Sequence, residues 1–157
     1  TKHLLNQIEA GVDAIQIFDT HSYHMDYRTH EKYSIEQIKK ISSNIKKIYP
    51  NIPIIYYSKN PGLNFSDIEN DVNCISISSN VSLIKIASTL NKKICLQGNL
   101  DPLLLVQGGA EMIKETKKIL NEMQDRFFIF NLGHGVLPQT PIENVQILID
   151  TVREFNS

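Results

Sequence analysis

The sequence predicts an α/β fold, a parallel sheet assembled from five consecutive strand-then-helix units. Apolar runs of strand length recur along the chain, each followed by a polar cluster and then a helical pattern. The runs are nearly continuous in apolar residues, as in parallel sheets covered on both faces. Regular alternation of strand and helix implies right-handed crossovers between parallel neighbours.

The chain opens on what reads as the end of a helix, with Leu4, Leu5 and Ile8 on one side. The first strand, Ala14 to Phe18, follows directly and runs into Asp19-Thr20-His21-Ser22. Ser34 with Gln37 then fits a capping box, in which each side chain satisfies a free N–H of the helix start. Ile35, Ile38, Ile41, Ile45 and Ile48 repeat at three and four residues beyond it, forming one apolar stripe with lysines opposite. The second strand, Ile52 to Tyr57, ends in Ser58-Lys59-Asn60-Pro61-Gly62, and Ser66 with Glu69 suggests a second capping box. Cys74 to Ile77 is the third strand, with a helical pattern over Val81 to Leu90. The fourth, Ile94 to Gln97, leads into Gly98-Asn99-Leu100-Asp101-Pro102 and a helix over Gly109 to Met123. Phe127 to Phe130 is the fifth, followed by Asn131-Leu132-Gly133-His134-Gly135. The last helix opens at Thr140-Pro141-Ile142-Glu143, with a cap, a proline in the first turn and a glutamate at the third position. Val145, Leu148, Ile149 and Val152 are its inward face.

Composition narrows the class. At 157 residues, one core can bury about two thirds of the unfolded chain's surface without staples. Sixteen Lys and Arg against 17 Asp and Glu leave a formal charge of −1, and so no bulk attraction to nucleic acid or an anionic membrane. A bilayer span would need about 20 consecutive apolar residues, and a secretory signal would need an apolar core near the start; neither pattern is present. Two cysteines, Cys74 and Cys95, each in a strand-like run, read as reduced and buried, which fits a cytoplasmic protein.

The polar clusters fall at the C-terminal ends of the strands, where barrels and open α/β sheets both carry their chemistry. No glycine-rich phosphate fingerprint follows the first strand, which argues against the nucleotide-binding architecture. Five units are too few for the standard eight-stranded barrel, and an arc of one leaves two strand edges unpaired.

His134 is the leading functional candidate. Glycines on both sides allow tight or positive-φ backbone and the close approach of a ligand, and an imidazole there can donate to a carboxylate or exchange a proton. The alternative is a loop histidine bonded to a neighbouring carbonyl. Thr20 offers a hydroxyl at the mouth of the first strand. There the structural reading gives Asp19 to capping and His21 to packing. Asp19, His21, His24 and His30 make a histidine-rich stretch, but its spacing matches no tetrahedral zinc set and no cysteine lies near. Asn99 and Asp101 read as turn chemistry that shapes their loop. Gly108-Gly109 is a weak anion cradle better explained as a helix start.

Taken together, Ile17-Phe18-Asp19-Thr20-His21, Leu96-Gln97-Gly98-Asn99-Leu100-Asp101-Pro102 and Asn131-Leu132-Gly133-His134-Gly135-Val136, with Pro138-x-Thr140-Pro141-x-Glu143-Asn144-Val145, resemble the uroporphyrinogen decarboxylase family. The resemblance covers essentially the whole chain but only the C-terminal part of the family's length. It implies a (β/α)8 TIM barrel, here only about the last five β/α units, with residues 1–157 forming the C-terminal part of a single barrel domain. The implied enzyme is a carboxy-lyase working without metal or organic cofactor. It removes CO2 from the four acetate side chains of uroporphyrinogen III to give coproporphyrinogen III in haem biosynthesis. Thr20 then matches a hydroxyl that touches substrate, and His134 the histidine that contacts a substrate carboxylate and serves catalysis. The family's substrate-binding arginines, its pyrrole-gathering aspartate and a tyrosine belong to its N-terminal part. The resemblance further implies a tetrapyrrole as the bound partner, a homodimer in the full-length enzyme, and neither nucleic acid nor membrane. A zinc- and cobalamin-dependent methyltransferase class shares the fold, but its zinc-binding cysteines are replaced here by Tyr56-Tyr57-Ser58-Lys59-Asn60 and by His134. A non-catalytic remnant that binds a porphyrinogen is the further alternative.

Overall fold

The computed structural model describes residues 1–59 and 65–155. The Asn60-Pro61-Gly62 part of the second polar cluster lies outside the described residues. Five strands, β1 (Ile15–Asp19), β2 (Ile54–Ser58), β3 (Cys74–Ile77), β4 (Cys95–Leu100) and β5 (Phe128–Leu132), form one sheet in the order β1-β2-β3-β4-β5. Every neighbouring pair is parallel. An open doubly wound sheet reverses its strand order at a switch point. This sheet never reverses, so the order is that of a barrel wall.

Curvature confirms the barrel arc. Strands β1 and β4 are three inter-strand spacings apart, about 14 Å along a flat sheet. Nevertheless Gln97 Nε2 of β4 lies 3.4 Å from Gln16 Oε1 of β1. Similarly, the Tyr57 hydroxyl of β2 donates to the carbonyl of Gly133, just beyond β5, at 3.2 Å. Only a strongly curled sheet brings side chains from such distant strands together across its concave face.

Helix α1 (Lys2–Glu9) packs Leu4, Leu5 and Ile8 against the core before β1. The β1–β2 crossover starts earlier than its apolar stripe suggests. Asp26 accepts the backbone N–H groups of Arg28 and Thr29, so a helical run opens there as α2 (Tyr27–His30). It continues through a π-helical turn, Glu31–Ile35, into α3 (Glu36–Lys46). Ser34 is buried inside that turn and caps nothing, while Gln37 bonds the Lys32 carbonyl. Ile35, Ile38 and Ile45 are buried, but Ile48 lies past the helix end and is exposed.

Among the described residues, four of the five strands are followed by an α-helix and β2 by a 3-10 turn. The expected Ser66/Glu69 box yields only a 3-10 turn, Phe65–Asp67, because Glu69 instead accepts the backbone N–H of Asn91. Helix α4 (Leu83–Thr89) follows β3. After β4, the Asp-Pro pair starts a helix absent from the sequence reading, α5 (Pro102–Gln107): Asp101 accepts the Leu103 N–H, and proline occupies the first turn. Gly108 closes α5 at positive φ and α6 (Gly109–Met123) begins at once. Helix α7 (Ile142–Phe155) ends the described chain with Leu148 inward, whereas Ile149 is largely exposed. The Thr140 hydroxyl is buried without a hydrogen-bond partner, so it does not cap α7.

Strand β4 runs three residues and β5 two residues further than the apolar pattern indicates. Asn99 and Leu100 pair with Asn131 and Leu132, and Gly133 N–H donates to the Leu100 carbonyl. This extension carries the final loop to the rim. The core lies on the convex side, where Ile15, Ile54, Tyr56, Ile75, Ile77 and Leu96 meet Ile38, Ile45, Met112 and Ile119 of the helices. The concave side is different in kind. It carries Gln16, Phe18, Tyr57, Ser76 and Gln97, and the flanking strands leave Phe18 67% and Ile129 43% exposed. No helix among the described residues is long and apolar enough to cross a membrane.

Candidate active site

A cavity of about 450 Å³ opens on the concave side at the C-terminal ends of the strands. Thr20 and His134, far apart in the chain, both line it. Gln16, Phe18, Tyr57 and Ser76 supply the sheet side of its wall, while Leu105, Val145 and Leu148 close it with aliphatic carbon. A mostly apolar wall with a few converging polar groups is the usual form of a ligand site.

His134 is exposed at the mouth. Its Nδ1 accepts the backbone N–H of Gly135 at 2.7 Å. A nitrogen that accepts carries no proton, so the neutral ring holds its hydrogen on Nε2 and offers that group as a donor. The ring stands edge-on to Tyr57, with centroids 6.2 Å apart, and Phe18 lies 5.9 Å from Tyr57 on the other side. Tyr57 therefore ties the site together, although the sequence reading singled out only its strand. Burial pushes its hydroxyl pKa up, which keeps it a donor to the Gly133 carbonyl. The hydroxyl thus fixes the loop that bears His134.

The two glycines beside His134 differ in their surroundings. Neither takes a positive φ. Gly133 packs against the backbone of Ser79, where a Cβ would lie 2.1 Å from the Ser79 nitrogen. The close neighbour is the protein's own chain. Gly135 has open space around its α-carbon.

Thr20 begins a 3-10 turn, Thr20–His24, that is braced from behind. Ser22 Oγ donates to the Asp19 carbonyl at 2.7 Å and lies 3.0 Å from Ser58 Oγ. The Asp19 side chain does not cap the turn; its Oδ2 accepts the Tyr56 hydroxyl at 2.9 Å. His30 Nε2, almost fully buried, sits 3.4 Å from the same oxygen but without the direction of a hydrogen bond. Burial first, and the Asp19 charge second, push the Tyr56 pKa well above the usual phenol value. Asp19 thus lies behind the cavity wall and braces the corner that presents Thr20.

The other candidates are placed elsewhere. His21 is exposed rather than packed, and His24 stacks on Tyr23 at 3.6 Å. No group of three His, Cys, Asp or Glu side chains is gathered for a metal among the described residues. Asn99 and Asp101 line a separate cavity of about 460 Å³ on the helix side. There Asn99 Nδ2 donates to the carbonyls of Ser78 and Val81, so both residues shape their loop. Lys118, the one cation lining that cavity among the described residues, is paired with Glu115 at 2.9 Å, and Asp101 and Glu122 leave its wall acidic. Cys74 and Cys95 are register partners near the opposite end of the sheet, and Cys95 is only half-buried.

Fold and site together define a (β/α)-barrel protein with a largely apolar, aromatic-walled pocket at the C-terminal ends of its strands. Within that class the chain belongs to the uroporphyrinogen decarboxylase family, whose model matches residues 1–155. It is 44% identical over 153 residues to a uroporphyrinogen decarboxylase of Wolbachia sp. subsp. Brugia malayi, covering 96% of this chain and 44% of that one. It is 41% identical over 155 residues to the Rhodospirillum rubrum enzyme and 40% identical over 155 to that of Rickettsia bellii, covering 98% of this chain in each case. The chain spans 44–45% of the length of these curated relatives. Among solved structures, a methyltransferase from Methanosarcina mazei superposes with a TM-score of 0.77 at 25% identity, covering 96% of this chain and 44% of that one. That likeness supports the shared barrel; neither cysteine of the present chain lines the cavity.

Proposed function

We propose that this chain forms the carboxylate-facing wall of a uroporphyrinogen decarboxylase active site, with His134 and Thr20 as substrate-contacting groups. The observation that carries the reading is their convergence on one cavity. His134 presents Nε2–H to a substrate carboxylate, and its proton can be given up and recovered as charge changes during decarboxylation. Thr20 adds a hydroxyl donor to the same polyanion. The aliphatic and aromatic walls hold a pyrrole face and thin out water, which strengthens both hydrogen bonds. In the chemistry assigned to the family, a pyrrole protonated beside the departing CO2 takes up the electron pair, so the protein's task is placement and proton delivery. The same reading makes the complete enzyme a homodimer in the cytoplasm.

The test joins this chain to the upstream part of the Wolbachia relative and follows conversion of uroporphyrinogen by separating the porphyrins formed. Losing a hydrogen bond to a charged group costs about 1.5–3 kcal/mol. His134→Ala should therefore slow the reaction roughly 10- to 100-fold. Thr20→Val should slow it several-fold and Thr20→Ser little. Equal rates for wild type and His134→Ala would refute the reading. Turnover by the 157-residue chain alone would show that it needs no upstream wall.

A further inference from the structure

Lys59 lies one residue beyond the end of β2. Its backbone N–H donates to the Asp19 carbonyl at 3.4 Å, the bond that closes the Asp19–Ser58 pair, so Lys59 and Thr20 each stand one residue beyond that pair. Side chains alternate along a strand. By that alternation Lys59, two residues past Tyr57, falls on the cavity side of β2, while Thr20, in the turn after β1, lines the cavity itself.

What surrounds the ammonium is as telling as where it starts. None of the ion pairs among the described residues includes Lys59, whereas Lys40, Lys114 and Lys118 each pair with a glutamate. Arg126 is engaged by the carbonyls of Ala87, Asn91 and Ile94. Lys59 Nζ instead rests 5.1 Å from the centre of the Tyr23 ring, whose other side of contact is His24. An aromatic face holds a cation without cancelling its charge. Lys59 is half-buried, so its stem is held as well. A positioned positive charge, unpaired among the described residues, thus stands at the β2 edge of the cavity, outside the residues that line it and one strand away from Thr20, which does line it.

We propose that Lys59, braced on Tyr23, is a carboxylate-binding residue of this site. It grips one acidic side chain of a polycarboxylate ligand while His134 and Thr20 receive others. The proposal rests on the reading that the cavity takes a uroporphyrinogen-like polyanion, and it adds the cation which that reading lacked.

The probe is uroporphyrin, the stable oxidised octacarboxylate, titrated into the chain by fluorescence at low and moderate salt. Lys59→Gln should weaken binding about tenfold at low salt and flatten the salt dependence, because one screened charge contact is gone. Lys59→Arg should restore most of the affinity, and Tyr23→Leu should lose a few-fold by freeing the ammonium. Circular dichroism of each variant checks that the fold is intact. If Lys59→Gln binds as tightly as wild type with the same salt slope while His134→Ala binds more weakly, this inference is overturned and the functional reading stands. If wild type shows no binding, or Lys59→Gln, His134→Ala and Thr20→Val all match it, both are overturned.

Discussion

Gly133 and Gly135 flank His134 symmetrically in sequence but not in space, and replacing each by alanine separates the two. At Gly133 a methyl group would lie 2.1 Å from the nitrogen of Ser79 and 2.6 Å from its α-carbon. Those are backbone atoms and cannot rotate away, so the loop must move. Overpacking of this kind costs about 1–3 kcal/mol. Displacing the loop also weakens two hydrogen bonds, Gly133 N–H to the Leu100 carbonyl at 2.8 Å and the Tyr57 hydroxyl to the Gly133 carbonyl at 3.2 Å. At about 1 kcal/mol each, these bring the expected loss for Gly133→Ala to about 3–5 kcal/mol. With a urea m-value of about 2 kcal/mol/M, the midpoint of unfolding falls by roughly 1.5–2.5 M. Gly135→Ala meets nothing within 4 Å and takes no positive φ, so its midpoint should stay within about 0.3 M of wild type. Equilibrium urea unfolding followed by circular dichroism measures both. Equal midpoints for the two variants would refute the packing argument and return the glycines to the ligand-approach role suggested by sequence.

Other expectations follow from contacts elsewhere in the structure. Asn144 Nδ2 donates to the carbonyls of Leu105 and Val106 at the end of α5, so Asn144→Ala should cost about 2 kcal/mol, and an unchanged urea midpoint would remove that role. The Tyr56 pKa is raised by burial and by Asp19, so the folded state keeps this proton at pH values where the unfolded chain releases it. Its contribution is full below the unfolded tyrosine value of about 10 and is lost as the pH rises further. Tyr56→Phe should accordingly flatten the fall in stability on the alkaline side, and identical alkaline profiles would contradict the assignment. Cys95 is held below the ordinary thiol range by its hydrogen bond with Cys74 and by the Arg126 charge, whereas that bond and burial push Cys74 up. Brief iodoacetamide treatment near neutral pH should thus label Cys95 well before Cys74 in the folded protein; peptide mass mapping that found Cys74 modified first would sink this.

The strands were legible because a buried parallel strand must be apolar along most of its length, and all five runs became strands. Their ends were less legible. Asn99, Leu100, Asn131 and Leu132 look like loop residues in one dimension, yet they extend β4 and β5 because each strand supplies the other's hydrogen-bond partners. Capping patterns were the weakest guide. Ser34 and Ser66 had suitable partners in spacing, but Asp26 offered a better start upstream, and Glu69 was claimed by the Asn91 backbone. Asp101-Pro102 was read as a turn, although the same pair is a helix start when room exists above the sheet.

The site divides in the same way. Sequence motifs alone named Thr20 and His134, and family membership followed from linear order, which needs no coordinates. Only the curled sheet could decide which polar residues share a cavity, because curvature makes neighbours of strands that are distant in order. It turned Asn99 and Asp101 toward the helix layer, set Asp19 behind the wall, and gathered Tyr57, Thr20 and His134 on one cavity. The chain order determined which strands exist and which motif each one ends in. The closing of those strands into an arc determined which of the motifs face one another, because concavity is a property of the whole sheet and of no single segment.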